Sequence, residues 1–305
     1  MNQGEDAVQV ALAREFEAQR PRLLRLAYAS TGSLAEAEDC VQEAWLRLQA
    51  AAEREPIRDL GPWLTTTVSR LALDALGSAR ARRERYTGPW LPEPIVERLD
   101  AGPDPADRVT LDESVSMALL VVLETLSAAE RTAFLLHDVF GLSFAEVAAT
   151  VGRSPAAARQ LASRARRHVR QAGPRVPPTR AQQLELLDAF TRACADGDLK
   201  RLTELLDPDV VWRADGGGQV RAFPQLARGA ARIARVFAAY ARRPPLRWRT
   251  ALVNGAPGLV LRDADGVLSV MAVTIDAGRI VAIDMIRNPD KLAMAAALLD
   301  QAPEP

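Results

Sequence analysis

Cysteine and histidine are almost absent, with two of each in 305 residues. Cys40 and Cys194 stand alone, without metal-ligand spacing or a disulfide framework, which fits a reducing cytosol. Residues 181–305 hold no histidine and no cysteine but Cys194, so a His–Asp acid–base pair is excluded there. Net charge is also missing: 39 basic residues balance 39 acidic ones, so the whole molecule is not a generic nucleic-acid binder. No apolar run approaches the length of a membrane span, and the start MNQGEDAVQV lacks the basic and apolar regions of a secretory signal. The expectation is a cytoplasmic protein with no membrane contact, no metal and no cofactor. The length allows two or three domains, each with enough apolar residues for a core.

The positive charge is local, and it sits on the stretch that organises the chain. Ser143 and Glu146 form a capping box for a short helix whose apolar face is Phe144, Val147 and Ala148, and Gly152 ends it in a turn. Ser154 caps a second helix, with Pro155 at its first position. Ala158, Leu161, Ala162, Ala165 and Val169 share one side of that helix. Arg159, Gln160, Ser163, Arg164, Arg166, Arg167 and Arg170 occupy the remainder, and the stretch from Gly152 to Arg175 has seven arginines and no acid. A helix packed by small residues on one side and lined with guanidinium groups on the other suits the major groove of DNA. A DNA binder with so little overall charge is expected to work inside a larger complex that supplies other contacts. His137, among Phe134, Leu135, Leu136 and Val139 with no partner histidine or cysteine nearby, reads as structural.

Upstream, residues 7–85 read as helical throughout. Ser33 caps a helix over Leu34 to Ala52 in which Leu34, Ala37, Val41, Ala44, Trp45 and Leu48 follow helical spacing, leaving Glu38, Asp39, Gln42, Glu43 and Arg47 on the other face. Pro62 opens a helix with Leu64, Val68, Leu71 and Leu76 as its buried stripe, running into the basic cluster Arg80, Arg82, Arg83 and Arg85. Residues 86–111 are proline-rich and aperiodic, the mark of a linker, yet they carry the apolar Trp90 and Leu91. After a second linker, AGPRVPPT, the pattern changes. Helices over Gln182 to Ala195, Leu199 to Leu206 and Ala230 to Ala241 accompany a short strand at Val210 to Trp212. Four strands then follow, separated by the turns NGAPG, DADG and DAG, the signal of an antiparallel meander. The expected boundaries are 1–87, a linker at 88–111, 112–174, and a final domain over 180–300.

Two of these motifs carry a family resemblance. AEAEDCVQEAWLRL with PWLTTTVSRLALDALGSARARRE resembles region 2 of the extracytoplasmic-function (ECF) group of sigma-70 factors, and LSAAERTAFLLHDVFGLSFAEVAATVGRSPAAARQLASRARRHVR resembles their region 4. The resemblance implies a multidomain fold: two all-α sigma domains, then an α+β cone similar to SnoaL-like, nuclear-transport-factor-like proteins. It implies that Asp39, Gln42 and Glu43 face the clamp helices of the RNA polymerase largest subunit, with the flap as a further polymerase contact. Trp63, Arg70 and Asp74 match the segment that opens the −10 element, with Arg80, Arg82 and Arg83 on phosphates of the opened strand. Taken as a residue alone, Trp63 reads as core. The region 4 arginines match the readers of the −35 element.

WLPEP at 90–94, DGGGQ at 215–219 and NPDKL at 288–292 resemble signature pieces of the subgroup with a fused SnoaL-like domain, often called SigJ-type. In that subgroup the extra domain regulates the sigma regions from the same chain. The implied regulatory contacts are Trp90, Leu91 and Pro92; Asp215, Gly216, Gly217 and Gly218; and Asn288, Pro289, Asp290, Lys291 and Leu292. Gln219 departs from the usual DGGGK, which puts a charge contact in question.

Two other readings stay open: a one-component, ligand-sensing transcription regulator, and an enzyme with a DNA-binding appendage. For the latter, Asp215, Asp263 and Asp284 with neighbouring arginines leave an acid–base arrangement conceivable, and the cone leaves room for a small ligand.

Overall fold

The computed structural model describes residues 3–55, 57–83, 86–99, 115–172, 178–222, 225–241 and 247–300. In chain order the elements are α1 (Gln3–Thr31), α2 (Leu34–Ala52), α3 (Leu60–Arg83), β1 (Val96–Arg98), α4 (Met117–Leu123), α5 (Ala128–Phe134), a π-helical turn (Leu135–Val139), α6 (Phe144–Val151) and α7 (Pro155–Ala172). They continue as α8 (Arg180–Asp196), α9 (Leu199–Leu205), β2 (Leu206–Asp215), β3 (Leu226–Arg228), α10 (Ala230–Ala241), β4 (Arg247–Val253), β5 (Ala256–Arg262), β6 (Leu268–Asp276), β7 (Arg279–Ile286), a 3-10 turn (Pro289–Lys291) and α11 (Ala293–Asp300). They form two compact units. The first draws on Met1–Arg82 and Leu123–His168, the second on Arg83–Gly102, Leu111–Val122 and Val169–Pro305.

The first unit is helical. Ser33, extended at φ −133° and ψ 132°, accepts the Glu36 amide and starts α2. Ala37, Val41, Ala44 and Leu48 of α2 are buried at helical spacing, as are Phe16, Leu23 and Leu26 of α1. Phe16 and Trp45 tie the two helices at a ring separation of 4.9 Å. Capping boxes start α5 at Ser127 and α6 at Ser143. Gly152, left-handed at φ 64°, closes α6, a conformation that glycine enters without a Cβ penalty. Arg131 is 2% exposed. It pairs with Glu124 and donates to the Ala29 carbonyl at 3.1 Å, joining α5 to α1.

The second unit is a seven-stranded sheet in the order β1-β4-β5-β6-β7-β2-β3. The meander β4 to β7 is antiparallel, as the turn residues predict. Asn254 (φ 50°) with Gly255 (φ 77°), and Ala277 (φ 48°) with Gly278 (φ 75°), make the tight left-handed loops that suit strand twist. β2 runs parallel to β7, an arrangement the sequence did not signal. One face of the sheet packs Val210, Trp212, Leu259, Met271 and Ile283 against Leu187 and Phe190 of α8, Leu202 of α9, and Ile233 and Phe237 of α10. Phe190 and Trp212 each meet Phe237 edge-on at 4.9 Å, which ties α8, β2 and α10 together. The opposite face packs Ala251, Val253, Val260, Val270 and Ile286 against Leu91, Met117, Leu292, Ala295 and Leu298. The stretch read as an aperiodic linker thus contains a strand: β1 pairs antiparallel with β4, Val96 opposite Val253.

Candidate functional site

On α2, Asp39 and Gln42 are exposed and Glu43 half-buried, all off the apolar stripe. Glu43 takes an ion pair from Arg47 at 2.8 Å, one turn on, and Asp39 lies exposed beside Glu38. On α3, Arg70 and Asp74 are exposed. Trp63 is half-buried and outside the core, because the inward positions of α3 go to Leu64, Val68 and Ala72; the core reading of Trp63 is corrected accordingly. Arg70 donates from Nη2 to the Ala149 carbonyl on α6 at 2.9 Å. The side chains of Arg80, Arg82 and Arg83 lie outside the described residues.

On α7 the two sides separate as the sequence predicts. Ala158, Ala162 and Ala165 are fully buried. Arg159, Gln160, Ser163, Arg164, Arg167 and Arg170 are exposed. Arg166 differs: it is half-buried and bound to Asp138 at 2.7 Å, an ion pair that raises its pKa through the Asp138 hydrogen bond and charge. Its guanidinium pins α7 to the π-helical turn and so is not part of the open basic face. Arg159 lies over the Phe144 ring at 5.0 Å, and that ring stacks on His137 at 3.9 Å. With its Nδ1 2.8 Å from the Leu142 carbonyl, His137 is structural, as expected.

In the second unit the three signature pieces converge. Asp215, at the end of β2, is fully buried. Burying a carboxylate is costly unless donors surround it, and here four do. Tyr86 Oη (2.5 Å) and the Gly217 amide (3.0 Å) donate to Oδ1. The Leu91 amide (2.9 Å) and Lys291 Nζ (2.8 Å) donate to Oδ2. Lys291 also donates to the Leu91 carbonyl at 2.5 Å and sits over the Trp90 ring at 4.0 Å. Leu91 is 1% exposed in the second core, and Pro92 is buried beside it.

Asn288 caps the 3-10 turn by accepting the Asp290 amide, and its Nδ2 donates to Tyr86 Oη at 2.9 Å. A Cβ on Gly217 would lie 2.5 Å from the Asn288 side chain, and one on Gly216 would lie 2.1 Å from the Val220 carbonyl. These glycines are thus required for close approach of the backbone. At the position where DGGGK has lysine, Gln219 donates its side-chain amide to the Asp290 carboxylate at 2.6 Å, so the donor here is uncharged. Pro289 is exposed, while Leu292 is buried in the second core.

Two residues that hold the 86–99 segment escaped the sequence. Tyr86 gave no signal beyond lying next to WLPEP. Its phenol pKa is raised well above the ordinary value, first by burial and then by the Asp215 hydrogen bond and charge. Asn254 read only as a turn residue, yet its Oδ1 accepts the Ile95 amide at 3.2 Å and its own amide donates to the Ile95 carbonyl at 2.8 Å.

The acids left open for acid–base work are each held by a cation: Asp215 by Lys291, Asp263 by Arg287 at 2.6 Å, and Asp284 by Arg213 at 2.5 Å. Burial raises the Asp284 pKa, and Arg213 opposes the shift. Burial also raises the Cys194 thiol to about 12, far from a reactive thiolate. Among the described residues no group of three His, Cys, Asp or Glu side chains could hold a metal ion, and no helix is long and apolar enough to cross a membrane.

Comparison with known proteins gives three family matches along the chain: sigma-70 region 2 over residues 15–82, sigma-70 region 4 over 116–169, and a SnoaL-like domain over 187–287. The ECF RNA polymerase sigma factor SigJ of Mycobacterium tuberculosis is 44% identical over 291 residues, covering 91% of this chain and 92% of the relative. A probable ECF RNA polymerase sigma factor of the same organism, SigI, is 36% identical over 285 residues, covering 91% and 93%. The crystal structure of the M. tuberculosis SigJ factor superposes with a TM-score of 0.76 at 40% identity, covering 92% of this chain and 98% of that one.

Proposed function

Because this chain belongs to the extracytoplasmic-function group of sigma-70 factors, we propose that it directs RNA polymerase to promoters through α2, α3 and α7, and that its own SnoaL-like domain sets when it does so. The observation that carries the reading is α7. Three alanines bury one side of it, and Arg159, Ser163, Arg164, Arg167 and Arg170 stand exposed on the other, the division a major-groove helix needs. Asp39, Gln42 and Glu43 dock on the polymerase clamp helices, with the flap as a second polymerase contact. Arg70 and Asp74 with Trp63 act on the −10 element. The work is done in the cytoplasm, and the chain catalyses no reaction of its own.

Two contacts support control in cis. Arg70, assigned to the −10 element, is engaged with the Ala149 carbonyl instead. The segment that joins region 2 to region 4 in sequence is held to the SnoaL-like domain by Asp215, Lys291 and Asn254, and it completes that domain's sheet. Prolines 89, 92 and 94 stiffen the segment, so fixing it costs less chain entropy than fixing a flexible one. A linker fixed in this way restricts how far apart the two DNA-binding regions can move. Coupling of about 1–3 kcal/mol would bias the equilibrium by several-fold to about a hundredfold.

The test is run-off transcription with purified core polymerase. The intact chain is expected to initiate from its promoters, and Asp39→Lys with Glu43→Lys to lose core binding while keeping its helicity. Removal of residues after Asp290 is expected to raise output, with small-angle scattering showing a less compact chain. Unchanged core binding in the double variant would overturn the docking face. Unchanged output and compactness in the truncation would overturn control in cis.

A further inference from the structure

A further concentration of positive charge lies in the SnoaL-like domain, away from the segments WLPEP, DGGGQ and NPDKL. α9, the start of β2, the end of β3, the first turns of α10 and the start of β7 enclose an open groove of about 900 Å³. Its rim carries Lys200, Arg228, Arg232, Arg235 and Arg279, each exposed, and one acid, Glu204. Glu204 is engaged from outside the groove by Arg201 at 3.3 Å, so among the lining residues five cations face one acid that is already paired, with Asp207 and Asp209 beside Pro208 and Asp276 opposite Arg279 just beyond the lining. α10 begins at this groove and is preceded by Gly229, which has no side chain to cap the first amides, adding the positive end of a twelve-residue helix.

We propose that this groove holds the phosphate backbone of duplex DNA, giving the SnoaL-like domain a direct, sequence-independent hold on the DNA. The cations come from four separate elements around an open trough, a layout that fits a continuous row of phosphates better than an enclosed small anion. The lining has no aromatic side chain to stack on a base, so the contact positions without reading. The choice of DNA as the polyanion rests on the promoter-directed reading above. The two fail separately, because that reading is tested by core-dependent initiation and this one by binding of promoter-free duplex.

The experiment measures anisotropy of a labelled duplex of arbitrary sequence with the full chain across a potassium chloride series. It compares wild type, Arg232→Ala/Arg235→Ala, and the control Arg192→Ala/Arg221→Ala, which removes the same charge from exposed positions outside the groove. The groove variant is expected to bind roughly tenfold more weakly at low salt, and its log–log salt slope to fall by about 2, since each phosphate contact contributes about 0.9. The control should keep the wild-type slope. Should the groove variant fold poorly by circular dichroism, Lys200→Ala/Arg279→Ala takes its place. Equal slopes in groove and control variants would overturn the proposal. So would unchanged duplex binding alongside a pyrophosphate-induced melting shift that only the groove variant loses, which would assign the site to a small phosphorylated ligand. Unchanged duplex slopes with weakened core-polymerase binding would overturn it in favour of an acidic protein surface.

Discussion

Asp215 and Lys291, 76 residues apart in sequence, meet at 2.8 Å with both side chains nearly out of water. Both also engage the backbone of a single residue, Leu91, Asp215 through its amide and Lys291 through its carbonyl. The pair therefore encloses one peptide segment of the linker, the carboxylate holding its donor and the ammonium its acceptor.

Removing one member of that pair leaves the other charge buried and uncompensated. Asp215→Ala is expected to lower stability by about 3–5 kcal/mol, as breaking a buried pair does. Chemical denaturation gives the stability change, and hydrogen exchange at the Leu91 amide should rise beyond that of amides on β5. Protection of Leu91 equal to wild type would show that the ion pair does not hold the linker.

The raised pKa of Tyr86 gives a pH signature. A phenol whose folded pKa lies above its unfolded value of about 10 stabilises the fold below that pH, and the contribution is lost as the pH climbs through the folded value. Ultraviolet difference titration of wild type against Tyr86→Phe should show the missing phenol ionising well above pH 10. Alkaline melting curves should converge as it does so.

Within α7, substitutions should fall into three groups. Arg159→Ala is expected to cost on the order of 1–3 kcal/mol at one promoter position if its guanidinium reads a guanine. Arg170→Ala should weaken all promoters alike and flatten the salt slope. Arg166→Ala should instead lower stability slightly, by less than about 1 kcal/mol for a partly exposed pair, through loss of the contact with Asp138. Identical promoter profiles for Arg159→Ala and Arg166→Ala would undo this division.

Both cysteines should behave as inert thiols. Burial, aided by Glu36, Asp39 and Asp74, raises Cys40 to about 11, and burial alone raises Cys194 to about 12. Iodoacetamide at pH 8 should label neither in the native chain and both after unfolding. Each thiol adds stability below about pH 9 that is lost towards pH 11 to 12. Rapid native labelling of Cys40 would contradict its burial, and rapid labelling of the half-buried Cys194 would contradict its raised pKa.

What could be read from sequence follows from the range of the interactions involved. Caps, helix faces and tight turns are local, so Ser33, Ser143, Gly152 and the Asn254-Gly255 loop were legible one by one. The fourfold engagement of Asp215 was legible only as three resembling motifs, because nothing near position 215 states that its donors lie at 86, 91 and 291. β1 was hidden for the same reason. Three residues without clear alternation become a strand once β4 offers them a ladder, and proline upstream disguised the segment as a plain connector. Arg166 looked like its neighbours on a helical wheel, which shows direction but not the acid waiting on another element.

The pairing of β1 with β4 also bears on whether the SnoaL-like domain is a separable module. A fragment starting near residue 180 would lack Val96–Arg98 and uncover the hydrogen-bonding edge of β4 beside the apolar patch of Ala251, Val253 and Val260. An unprotected edge of that kind recruits strands from other molecules. The domain is thus an insertion acceptor whose last structural piece is encoded ahead of region 4. A copy of the domain cut away from the sigma regions would carry an unpaired β4 edge unless residues 96–98 travelled with it.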